Sequence, residues 1–130
     1  MRIKLMSIMV DDQDKALKFY TDVLGFKKKL DIPMGQYRWL TVVSQEGPDD
    51  IELVLEPNAN PAGKAFQQAM FEQKIPVAIF ESADIQAEAA AMKSKGAMFT
   101  LDPKDIGPVF MARFEDTCGN LIQLVQPKHA

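Results

Sequence analysis

The sequence predicts an α+β domain of two tandem βαβββ modules, related by a pseudo-twofold axis and paired so that their sheets close around a cleft. Three observations predict it. Apolar periodicity runs strand, helix, strand, strand, strand, and after a linker runs through the same order again. A shift of about 71 or 72 residues superposes most of the two halves. The words agree as well, because Ile51-Glu52-Leu53-Val54-Leu55-Glu56-Pro57 answers Ile122-Gln123-Leu124-Val125-Gln126-Pro127, and Gly25-Phe26 answers Gly96-Ala97.

Each element has a local cause. Residues 3–10 are apolar-rich with polar interruptions, which fits a strand with at least one buried face. Asp11, Asp12 and Asp14 offer N-caps and first-turn negative charge, and Ala16, Leu17, Tyr20, Val23 and Leu24 recur at helical spacing until Gly25 stops the helix. Strands follow at 27–32, 37–44 and 51–56, separated by Pro33-Met34-Gly35 and by the turn residues of 46–50. Residues 57–61, rich in Pro and Asn, form a linker into a connecting helix over 62–73, with Ala65, Phe66, Ala69, Met70 and Gln73 at helical positions. The second round predicts a strand at 77–80, a helix from 82 or 83 to 95 stopped by Gly96, and strands at 97–101, 109–115 and 121–126. Module one thus spans 1–57, the linker and connecting helix 58–75, module two 76–127, and a short tail 128–130.

Composition narrows the function. With 130 residues, 47% hydrophobic and 25% charged, the chain suits one globular domain and is neither disordered nor fibrous. Fifteen Lys and Arg against eighteen Asp and Glu, spread along the chain, argue against nucleic acid as the main partner. Neither a signal-peptide core nor an apolar run long enough to span a bilayer is evident, and the single cysteine, Cys118, suits a reducing cytoplasm. The only histidine is His129, in the tail. A Ser-His-Asp triad, a Cys-His pair or a site built on two imidazoles therefore lacks its key residue.

Two stretches resemble a known family. Val10-Asp11-Asp12 leading into Lys15-Ala16-Leu17-Lys18-Phe19-Tyr20-Thr21-Asp22-Val23-Leu24-Gly25-Phe26, and then Phe114-Glu115-Asp116-Thr117-Cys118-Gly119-Asn120-Leu121-Ile122-Gln123-Leu124, are similar to the two signatures of the vicinal-oxygen-chelate superfamily. That superfamily includes glyoxalase I, extradiol dioxygenases, methylmalonyl-CoA epimerase and the bleomycin- and fosfomycin-resistance proteins. The resemblance implies the glyoxalase/bleomycin-resistance/dioxygenase fold, a cupped mixed β-sheet around a cleft, commonly completed by homodimerisation. It also carries the four metal-ligand positions of the family onto Leu5, Glu52, Val77 and Gln123. Two of these have no donor atom and one offers only an amide oxygen, so the expectation is a protein without the usual metal centre and without a cofactor.

Candidate site residues follow from the repeat and from charge. Glu52 and Gln123 occupy equivalent places, so a cleft between the modules would bring them face to face. A buried Glu with only Gln for company would have a raised pKa and could act as acid or base; on an open, wet sheet it is only a polar residue. Glu56 falls on the same side of its strand as Glu52 and either adds a carboxylate for a loosely held ion or sits solvated at the strand end. In Tyr37-Arg38-Trp39, alternation lets either Arg38 or the two aromatics face inward, and Trp39 also suits a core role. Arg113 interrupts an apolar strand and either faces inward, where it would neutralise Glu52 or a ligand carboxylate, or is an ordinary surface arginine on a half-exposed strand. Cys118 lies in a turn with no base beside it and reads as structural. Three functions are compatible: a metal-free binder of a small organic molecule, an enzyme of lyase, isomerase or dioxygenase type relying on Glu52, and a dimeric scaffold.

Overall fold

The computed structural model describes residues 1–128 and contains both modules. The predicted role of His129 as tail lies outside the described residues. The first module holds β1 (Leu5–Val10), α1 (Gln13–Lys18), β2 (Lys27–Met34), β3 (Tyr37–Val43) and β4 (Glu52–Pro57). The connecting helix α2 (Pro61–Glu72) leads to the second module, with β5 (Ala78–Glu81), α3 (Ile85–Ser94), β6 (Met98–Asp105), β7 (Val109–Glu115) and β8 (Leu121–Pro127). Strand order is β1-β4-β3-β2 in one sheet and β5-β8-β7-β6 in the other, with β1 parallel to β4 and β5 parallel to β8. The repeat is thus present strand for strand. No helix among the described residues is long and apolar enough to cross a membrane.

Local chemistry sets the helix ends. Asp12 caps α1 by accepting from the Lys15 amide at 3.1 Å, and Asp84 caps α3 by accepting from the Ala87 amide at 3.1 Å. After Lys18 the first helix widens into a π-type turn over Phe19–Val23. It ends where Gly25, at φ +81°, enters the left-handed region and the Phe26 amide donates back to the Tyr20 carbonyl at 3.0 Å. In α2 the buried side chain is Gln67, 4% exposed, whereas Phe66 is 58% exposed. The expected apolar stripe of α2 is therefore displaced. The helix turns Gly63, Gln67, Met70 and Phe71 inward, and at Gly63 an added Cβ would lie 3.2 Å from the Met9 sulfur.

The core lies between the two sheets rather than within either module. Ile8, Val10, Leu40, Val42 and Leu55 of the first module share one hydrophobic cluster with Ile85, Met92, Ala112, Phe114 and Ile122 of the second. Phe19, from the end of the first helix, packs 6.2 Å from Phe114 on β7, and Phe26 meets Phe80 on β5 edge to face at 5.1 Å. Full burial of side chains such as Tyr20 and Phe114 contributes about 1.5–3 kcal/mol each. Each sheet consequently shows its helix-bearing face to this shared core and turns its other face away, and among the described residues no strand pairing joins the two sheets.

Candidate functional site

The outward face of the first sheet is centred on Glu52. It is 4% exposed, yet what covers it is its own neighbours rather than depth in the molecule. The Thr41 hydroxyl donates to its Oε1 at 2.8 Å, and the Lys4 ammonium meets its Oε2 at 2.8 Å. These two bonds, with Lys4 the larger influence, hold the carboxyl below its ordinary range, and Lys29 adds to the effect. The raised pKa expected from the sequence is thus corrected: Glu52 has a lysine, not a lone amide, for company, and it is an anion at neutral pH. Val54 and Val43 stand buried on the same face, and Leu5, directly beside Glu52 in the ladder, is 44% exposed. Glu56 shares the face at the far end of β4, about 13 Å along the strand, too far to join Glu52 around one ion.

The bond from Thr41 to Glu52 also settles the parity of β3. Trp39 and Tyr37 lie on the outward face with Thr41, and Trp39 is half-buried against that sheet. Arg38 points the other way, toward α1. Its Nε donates to Asp31 Oδ1 at 3.0 Å, its NH1 pairs with Asp14, and Gln13 brackets its backbone with bonds of 2.7 and 3.0 Å. The guanidinium is engaged there and does not join Glu52.

On the second sheet, Gln123 and Arg113 share the outward face and touch, Arg113 Nε donating to Gln123 Oε1 at 3.3 Å. The other guanidinium nitrogens have no partner among the described residues, and Arg113 makes no ion pair there. The β5–β8 ladder sets Ile79, rather than Val77, beside Gln123, as β1 sets Leu5 beside Glu52. Val77 precedes β5 and packs against the core. Glu52 and Gln123 therefore hold equivalent places on different sheets, with the core between them, and are not brought together within one chain.

The four positions do not fit a divalent cation. Leu5 and Ile79 offer no donor, Gln123 offers one amide oxygen, and the single carboxylate is already bound by Lys4. Among the described residues no three of His, Cys, Asp and Glu converge.

A second polar group ties the modules to one another. Asp116 is buried and accepts from the Tyr20 hydroxyl at 2.7 Å, from Asn120 Nδ2 at 2.7 Å, and from the amides of Cys118 and Asn120 at 2.8 and 3.0 Å. Burial raises its pKa against the pull of these donors. Gln67 Nε2 donates to the carbonyls of Met9 at 3.0 Å and Cys118 at 2.8 Å, and Asn120 Nδ2 donates to Met9 as well. Burial, with Asp116 nearby, pushes the Cys118 thiol up to about 12, so it is no nucleophile and the turn is structural, as its sequence suggests. The sequence reading missed Lys4, Thr41, Gln67 and Tyr20. Only Lys4 left a signal, one residue before the position that pairs with Glu52.

The Glyoxalase/Bleomycin resistance protein/Dioxygenase superfamily model matches residues 2–124. The chain belongs to this superfamily. Within it, YurT, an uncharacterized protein of Bacillus subtilis (strain 168), is 52% identical over 97% of this chain and 99% of its own length. Among solved structures, UcmS2 superposes with a TM-score of 0.83 at 29% identity, covering 96% of this chain and 97% of the other. TnmS3, an antibiotic binding protein from Streptomyces sp. CB03234, superposes with a TM-score of 0.78 at 29% identity over 98% and 97% of the two chains. The superfamily member described here therefore keeps the fold of these proteins along nearly its whole length.

Proposed function

We propose that this superfamily member binds a small organic molecule on the outward sheet faces, without a divalent ion at the family's metal positions. The observation that carries the reading is the donor set. Of Leu5, Glu52, Ile79 and Gln123, only Glu52 is a carboxylate, and Lys4 and Thr41 already occupy its oxygens. The remaining surface is that of a binding wall: Trp39 and Tyr37 toward the Glu56 end of the face that carries Glu52, and Arg113, with donors unpaired among the described residues, beside Met111 and Val125 on the other. Kinship with an antibiotic binding protein supports the same reading.

A complete cup needs a second copy. β1 and β5 are open edges in their sheets, and Leu5 and Ile79, 44% and 62% exposed, present apolar surface beside them. A homodimer that sets the first sheet of one protomer beside the second sheet of its partner brings Glu52 toward the partner's Gln123 and the partner's Arg113 and closes the cleft that one chain leaves open.

The test is a thermal-shift titration with Mn²⁺, Mg²⁺, Zn²⁺ and Ni²⁺ alongside a panel of aromatic antibiotics. A ligand at a hundredfold excess over its Kd stabilises the native state by about 2.7 kcal/mol. The expected result is no saturable shift with any metal and a saturable shift with a panel member, weakened in Arg113→Ala. A stoichiometric metal shift lost in Glu52→Gln would replace this reading with that of a metal-dependent enzyme.

A further inference from the structure

The pseudo-twofold axis gives the molecule two seams between its modules, and they differ. At the first, the end of β1 meets the β7–β8 turn. The Asp11 amide donates to the Cys118 carbonyl at 3.3 Å, and Gln67 and Asn120 fill what remains. At the second, the end of β5 faces the β3–β4 loop, with α3 alongside. Gln45 Nε2 fastens that loop to the Gly25 carbonyl at 2.7 Å, and behind it a cavity of about 860 Å³ remains open. That volume is in the range of small-molecule sites.

The lining of this cavity has a definite chemistry. Its floor is apolar, with Leu24, Phe26, Phe80 and Met92, and Phe26 and Phe80 stand at 90° to one another. Its polar wall is acidic: Glu46 from the β3–β4 loop, Glu81 from the end of β5, and Glu88 from α3. No Lys, Arg or His lines it, and none of the three glutamates makes an ion pair among the described residues. Partial burial raises the Glu88 carboxyl above its ordinary range, and Glu46, across the gap on the other module, adds to the rise with Asp84 against a bond from Ser82.

We propose that this cavity is a second binding site, separate from the outward sheet faces, and that it takes a lipophilic organic cation such as a substituted ammonium. Apolar substituents fill the Leu24 and Met92 side, the cationic centre sits beside the Phe26–Phe80 pair, and Glu46 and Glu88 supply the countercharge. The guest relieves the repulsion between the two acidic banks and adds to the Phe26–Phe80 contact that joins the modules there.

The test uses benzyltrimethylammonium as the probe, with neutral 3-phenylpropan-1-ol as the control, followed by amide chemical shifts of the full chain. Saturable shifts are expected at Leu24, Phe26, Phe80 and Ala83, with the alcohol binding about tenfold more weakly or worse. Glu46→Gln/Glu88→Gln should lose about tenfold in affinity for the cation while its thermal midpoint stays level or rises, because a repulsion is removed. Should that pair fail to fold, Glu81→Gln reads the same countercharge from the solvent-exposed rim. Absence of saturable binding, equal binding of the alcohol, unchanged affinity in the glutamine variants, or shifts centred on Glu52 or Arg113 would each overturn the proposal. Arg113→Ala should leave binding here intact, which separates this site from the one on the sheet faces.

Discussion

At the scale of single residues, Lys4 and Thr41 convert Glu52 from a candidate acid into a fixed anion. Its folded carboxyl lies below the ordinary value of 4.5, so the unfolded chain takes up this proton first as pH drops. The stability it contributes is whole above that value and is lost as pH falls through the folded one. Lys4→Met should therefore raise the Glu52 titration midpoint, read from its side-chain carboxyl ¹³C shift, and should flatten the acid limb of the stability curve; an unmoved midpoint would contradict the pairing. Two glycines offer a sharper comparison. Gly96 has φ +93° with no atom within 4 Å of an added Cβ, so Gly96→Ala should cost only backbone strain, about 1 kcal/mol. Gly119 has φ +97°, and an added Cβ would lie 2.8 Å from Gln67 Nε2. Gly119→Ala should cost about 2–3 kcal/mol in urea unfolding, since the clash displaces the residue that joins Met9 to Cys118.

At the scale of elements, the order of strands and helices was legible because the periods of 2 and 3.6 are local properties of the chain. Most boundaries moved by one to three residues, as at β1, which starts at Leu5 rather than residue 3. The facing of α2 was not legible. Its sequence shows an apolar stripe with Phe66, and the fold buries Gln67 instead, because the Met9 carbonyl of β1, the Cys118 carbonyl of the β7–β8 turn and the Asn58 side-chain amide of the linker converge there. The same holds for Arg38 and Trp39, whose strand parity depends on a hydrogen bond between β3 and β4 that one strand's sequence does not contain. Gln67→Leu keeps the volume and removes the bonds, leaving Asn58 Nδ2 without its partner and the Met9 and Cys118 carbonyls with one donor each, from Asn120 and Asp11; it should destabilise the protein by about 1–3 kcal/mol in chemical denaturation.

At the scale of the whole molecule, equivalence within the repeat and closeness in space proved to be different things. Glu52 and Gln123 correspond module to module, yet the helices pack both sheets onto one core and send these two residues outward on separate sheets. A repeat specifies each module's fold but not which faces of two modules meet, since that is decided by aromatic contacts such as Phe19 with Phe114 across the whole chain length. One shared core also predicts one unfolding transition: Phe114→Ala, at a fully buried position, should lower the stability of both modules together by about 3–5 kcal/mol, with near-UV and far-UV signals moving in step.

The contrast between the two seams makes the molecule a book with a single spine. The spine runs through Asp11, Cys118, Asn120 and Gln67, and the loose fore-edge is the β3–β4 loop opposite β5. Amide exchange should then be slow at Asp11, Cys118 and Asn120, whose amides are bonded, and fast over residues 44–47. A guest held at the fore-edge would touch both modules at once, so its binding should slow amide exchange over residues 44–47 while leaving the spine amides unchanged.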